Sequence, residues 1–251
     1  MTQAAETDRV DDQWVHLEAL ARAPGRFATD SASPSRRTTR MLLATIVLGG
    51  AVFGAVIGGF RGGAQVAYAA VKVPAFLLGT LALSVPAFVG VARAFGVRVD
   101  AAELVSLSLG ATARLALVLV GLAPVLWLLA GVSSYHAMAI WVTAAMVVAG
   151  LSAAALLFAG LSRRGTWGKV AGALMVAIFA LVGAQTSWML RPFLVRPRTL
   201  HVPFVRAVEG DPFASVSTSL RSMTGHYDRE PGGWTEGTRR RGEPTERGEE
   251  P

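Results

Sequence analysis

The chain has 251 residues, 52% of them hydrophobic and only 16% charged, with a formal net charge of +7. About a quarter of an ordinary soluble domain is charged, so this composition excludes a simple water-soluble globule. Cysteine is absent, which also excludes disulfides, thiolate metal sites, iron–sulfur clusters and thiol catalysis.

The basic balance rests on arginine, with lysine only at Lys72 and Lys169. The arginines gather beside the ends of apolar stretches, where chain orientation and lipid phosphates account for them without nucleic acid as a partner. Arginine in place of lysine, with abundant Ala and Gly, points to a GC-rich bacterial genome. The length suits one membrane bundle with polar ends and leaves no room for an added catalytic domain of typical size.

Residues 1–40 form a polar N-terminal arm holding six acids (Glu6, Asp8, Asp11, Asp12, Glu18, Asp30) and six arginines (Arg9, Arg22, Arg26, Arg36, Arg37, Arg40). Asp11 and Asp12 can cap a short helix that places Trp14, Leu17 and Ala21 on one face. Arg22 and Arg26 then fall near its C-terminal end, where the helix dipole favours cations. This predicts an amphipathic helix lying on the membrane, with a partly ordered tail as the alternative. Ala28–Thr39 reads as a flexible tether.

Residues 41–190 hold five apolar stretches, Met41–Phe60, Val73–Phe95, Ala111–Val132, His136–Leu161 and Lys169–Leu190. A hydrocarbon core of about 30 Å is crossed by about 20 helical residues, and unpaired backbone is too costly in lipid for any open form. The expected fold is therefore an all-α integral membrane protein, a bundle of about five transmembrane helices with short amphipathic surface helices. The first stretch is too long for a signal-peptide core and is followed by four more, so it reads as a retained span.

Gly50, Gly54 and Gly58 recur every four residues on the first span, with Ala51, Ala55 and Gly59 as a second row. Small residues at this spacing let two helix backbones meet in lipid. The row predicts packing against another helix of the same chain, or homodimerisation through the first helix. Pro74 and Pro86 in the second span, and Pro124 in the third, each remove a backbone hydrogen bond. They predict kinks, which serve as hinges in transporters and are also ordinary in membrane helices.

Arg114 is the most unusual charge. A third span starting at Leu104 would carry it about 15 Å in, at a cost of about 2.5–3.5 kcal/mol, and would imply a function. A span starting at Ala111 would let it reach headgroups, with Asp100–Ala113 as an approach helix. In the fifth span Gln185, Thr186 and Ser187 form a polar cluster, followed by Trp188 and Arg191. Interhelical hydrogen bonding explains these residues without a ligand.

After the fifth span, residues 191–224 form a membrane-proximal segment in which Asp211 and Pro212 can start a short helix bearing Phe213, Val216, Leu220 and Met223 on one face. Residues 225–251 are Gly, Pro, Glu and Arg in the main and are expected to be disordered.

With the N-terminus cytoplasmic, that side holds ten basic residues: Arg26, Arg36, Arg37, Arg40, Arg93, Arg98, Arg114, Arg163, Arg164 and Lys169. The other side holds six, Arg61, Lys72, Arg191, Arg196, Arg198 and Arg206. The excess predicts N-in and, with five spans, C-out, although the arginines after Leu190 pull the other way.

No Asp or Glu lies inside the five stretches, which argues against proton-coupled carriers and intramembrane aspartyl proteases. Metal-protease, nucleophile-elbow, phosphate-loop and dinucleotide motifs are absent too, and His16, His136, His201 and His226 are scattered. Catalytic, cofactor and metal residues are therefore expected to be none, and the chain is expected not to be an enzyme.

Three segments, Phe60–Pro74, Ser134–His136 and Gln185–Phe193, resemble an uncharacterised group of bacterial multi-pass membrane proteins. The five-span layout with an N-terminal arm is similar to that of Yip1-type proteins. The resemblance implies a shared fold and no assigned chemistry. The sequence thus leads to an inner-membrane scaffold or interaction protein contacting the lipid bilayer or a protein partner. A small transporter or channel using Arg114, the proline breaks and Gln185 is the alternative.

Overall fold

A computed structural model describes Leu20, residues 35–190, Phe193, Leu194, Phe204 and Arg221. Within these, five helices follow one another: α1 Arg36–Gly59, α2 Ala64–Ala94, α3 Ala101–Ala130, α4 Tyr135–Ser162 and α5 Gly165–Met189. All five are long and apolar enough to cross a membrane. The helix expected within the N-terminal arm, the one near residues 212–223 and the tail at 225–251 lie outside the described residues, apart from Leu20 and Arg221.

Each helix begins earlier than the apolar stretch that announced it, because polar residues continue the helix beyond the lipid-soluble part. Ser35 caps α1, its hydroxyl accepting from the Thr38 N–H at 3.0 Å, so Arg36–Arg40 forms a helical entry to the first span. Between α1 and α2, Gly62 and Gly63 take φ of 78° and 62°, a left-handed turn that a side chain would strain. That tight turn starts α2 at Ala64, so Lys72 stands inside the helix and not in the loop before it. Likewise α3 is one continuous helix from Ala101 through Ala130, without a break between an approach helix and a span at Ala111.

α2 and α3 run through Pro74, Pro86 and Pro124 without interruption. Pro74 is buried against α1, where Gly50 leaves room for its ring, whereas Pro86 and Pro124 are exposed. The helices alternate in direction and close a ring in the order α1, α2, α5, α4, α3, with α2 and α3 also touching across it. One end of the bundle, here the basic end, therefore gathers Arg36, Arg37, Arg40, Arg93, Arg98, Arg163, Arg164 and Lys169. There Arg164, from the α4–α5 turn, donates to the Arg98 carbonyl and pairs with Glu103 in the first turn of α3.

The glycine row of α1 packs within the chain. A Cβ on Gly58 would stand 2.6 Å from the Gln65 carbonyl oxygen, one on Gly50 would stand 3.2 Å from the Pro74 nitrogen, and one on Gly54 would collide with the Ala69 carbonyl. α2 therefore occupies the face that homodimerisation through this row would have used. In the second row, Gly59 lies against the Trp127 ring of α3. Meanwhile Leu48, Leu83, Leu128, Leu151 and Leu181, one on each helix, are exposed outward. A leucine belt around all five helices is satisfied only by an apolar solvent, and the chain is a multi-pass membrane protein.

Candidate functional site

Two cations stand inside the helices, one toward each end of the bundle, and a segment from outside the five helices reaches back to each. Lys72 lies about 12 Å into α2 from the end opposite the basic one. It belongs to a buried face of α2 formed by Gln65, Ala69, Lys72, Val73 and Phe76, a helical spacing that aligns them along one side. Gln65 and Lys72 are both fully buried. Gln65 Nε2 donates to the Phe193 carbonyl at 2.9 Å, and Lys72 Nζ lies 4.9 Å from the centre of the Phe204 ring, within cation–π range. Tyr68 meets Phe204 edge-on at 5.3 Å and Phe76 meets Phe193 edge-on at 6.2 Å. Among the described residues, Phe193 and Phe204, which follow α5, are thus held against α2 by a side-chain hydrogen bond, a cation and two aromatic pairs.

Arg114 lies about 20 Å into α3 from the basic end. Its Nη1 donates to the Leu20 carbonyl at 2.7 Å, while its Nε is buried without a hydrogen-bond partner. Leu20 is fully buried and helical, although it stands beside the face predicted for the arm through Trp14, Leu17 and Ala21. Around Arg114 the hydroxyls are spent locally. Ser108 donates to the Leu104 carbonyl at 2.7 Å and Thr112 to the Ser108 carbonyl at 2.9 Å, bonds that satisfy each side chain on its own helix.

The fifth-span cluster divides differently from the expectation. Gln185 is exposed, Ser187 is half-buried and Arg191 lies outside the described residues. Thr186 turns inward, but its hydroxyl bonds the Val182 carbonyl at 2.8 Å, and its methyl faces Gly79 of α2. No interhelical hydrogen bond comes from Thr186; its contribution to the α2–α5 contact is close packing.

The residues that sequence reasoning missed are Gln65 and Lys72. Both precede the second apolar stretch, Val73–Phe95. The signal that finds them is the Gly62–Gly63 pair, which ends α1 and forces α2 to start at once, together with the spacing of Gln65, Ala69, Lys72 and Phe76.

Further along the buried side of α2, Thr80 and Ser84 carry hydroxyls without hydrogen-bond partners, and Thr80 faces Gly183 of α5. At the basic end a concavity of about 590 Å³ is lined by Arg36, Arg37, Arg40, Met41 and Ala44. Among the described residues, no group of three or more His, Asp or Glu could hold a metal ion.

The two cations, Lys72 enclosed and Arg114 half-buried, have one chemistry in common: each binds main chain or ring from elsewhere in the same protein. No family model matches the chain, and no curated protein and no solved structure matches it either, so what is established is a multi-pass bundle of five helices with no family identified.

Proposed function

We propose that this protein is a non-enzymatic scaffold or interaction protein of the bacterial inner membrane, with its N-terminus in the cytoplasm and its basic end facing lipid headgroups or a protein partner. One observation carries the reading: the polar side chains whose bonds the structure describes in the bundle hold the chain to itself. Gln65 and Arg114 bind the carbonyls of Phe193 and Leu20, and Ser108, Thr112 and Thr186 bind their own helices. A site for chemistry or transport needs such groups to converge on a ligand instead.

The concavity supports lipid contact, because arginines beside Met41 and Ala44 suit a phosphate headgroup next to the start of an acyl chain. The same arginines support N-in through the positive-inside tendency. Reporter fusions test the orientation, with Arg40 and Arg163 expected on the cytoplasmic side and Ser134 on the other.

A small transporter or channel for an anionic or polar solute is the second reading, favoured by the unpartnered hydroxyls of Thr80 and Ser84 on the buried side of α2. Flux of chloride, phosphate and glycerol in proteoliposomes separates the two. The scaffold reading expects no flux above that of protein-free vesicles, and flux abolished by Thr80→Val with Ser84→Ala would establish the transporter instead.

A further inference from the structure

On α3, Ser106, Gly110, Ala113, Leu117, Gly121, Pro124 and Leu128 follow one another at three- and four-residue steps, and so form a single stripe along the helix. The upper part of that stripe faces outward: Gly121, Pro124 and Leu128 are exposed, Leu128 at 73%. The lower part is closed, for Ser106 and Ala113 are at 2% and 0% and every residue from Ser106 to Ala113 is buried. A helix buried around its whole circumference over two turns, and open on the same side above, has something laid against it only at the lower level. Leu20 is the described residue outside the five helices that is buried at this level, and Arg114, at the boundary between the covered and open halves, holds its carbonyl.

We propose that the N-terminal arm around Leu20 is a separable sixth packing element, docked on the Ser106–Ala113 side of α3 and latched there by Arg114. The arm joins the bundle at Ser35, which caps α1. The composition of the arm suits a reversible contact, since the six acids and three arginines of residues 1–34 remain soluble when the arm detaches. The latch is an ionised donor on a neutral carbonyl, a bond stronger than one between neutral groups, formed where water is scarce. It leaves the Nε of the guanidinium without a partner, so the hold is a single point and not a two-pronged clamp. A single donor on a long stem is all that the latch requires, and lysine supplies that. This inference stands on the covering of α3 and the bond from Arg114 to Leu20, and is independent of the scaffold reading.

Hydrogen exchange on the full-length protein in detergent, followed by peptide mass spectrometry, tests it. The expected result is slow exchange for peptides containing Leu20. In Arg114→Gln the same peptides should exchange about ten- to a hundredfold faster, the loss of one charge-assisted bond, while Arg114→Lys stays close to the parent. Leu20→Asp should release the arm to a similar extent without using Arg114. Peptides from Pro74–Ser84 of α2 serve as the internal reference and should not change in any variant. Exchange at unstructured-chain rates around Leu20 in the parent protein would overturn the proposal. So would unchanged protection in both Arg114→Gln and Leu20→Asp, or a rise shared equally by the α2 reference, which would make the arm inseparable from the bundle.

Discussion

Lys72 and Arg114 are both cations within membrane helices, yet they are accommodated in opposite ways. Lys72 is fully enclosed, its ammonium against the Phe204 ring and its stem among the packed residues of α2. Arg114 is half-buried at the edge of α3, where a covered face meets an open one, and it holds a carbonyl from a segment that arrives from outside the five helices. A compact ammonium with aromatic surroundings can be built into the core, while a guanidinium with five donors is better used at a border where part of it remains accessible. The comparison teaches that a charge inside a membrane protein need not mark a pathway for solutes. Here each charge fastens a flanking segment to the bundle.

The largest effect is expected from Gly54→Leu, because the carbonyl of Ala69 occupies the space that a side chain would need. Moving α2 away from α1 also moves the face that carries Gln65 and Lys72, so thermal unfolding in detergent should lose more than about 2 kcal/mol. Ile57→Leu conserves volume at a buried site of the same helix and should cost less than about 1.5 kcal/mol. Protection around Leu20 should survive Gly54→Leu at moderate temperature, and its loss would show that the two cation sites are one cooperative unit.

A smaller effect is expected at the enclosed cation itself. Lys72→Met keeps the stem and removes the charge, so it should cost about 0.5–2 kcal/mol by thermal unfolding, the range of a cation–π contact. Phe204→Leu should cost about the same, and the double variant less than the sum of the two singles, since the contact they share is lost in both. Additive losses would separate Lys72 from Phe204 and weaken the contrast with Arg114. Smallest of all is Arg114→Lys, where insertion, abundance and unfolding temperature should match the parent, because a single donor on a long stem satisfies the Leu20 carbonyl.

Much of the architecture was legible because the bilayer imposes simple rules. Five apolar stretches could only be helices, and glycines at every fourth position of α1 could only be a packing face. The third span was harder. Composition changes gradually between Asp100 and Leu115, and one continuous helix looks the same in sequence as an approach helix followed by a span. Gln185 illustrates the opposite failure: an amide near the end of a span suggests an interhelical bond, but the rotation of α5 leaves it exposed and turns Thr186 inward.

The sequence alone determined that the chain lives in a bilayer, crosses it as helices and concentrates basic charge at one end, because those properties follow from local composition and a fixed hydrocarbon thickness. Tertiary structure decided which helix covers the glycine row, which cation is enclosed, and where the flanking segments return. Those outcomes depend on contacts between residues far apart in the chain, such as Gln65 with Phe193 and Arg114 with Leu20, whose pairing no local pattern encodes.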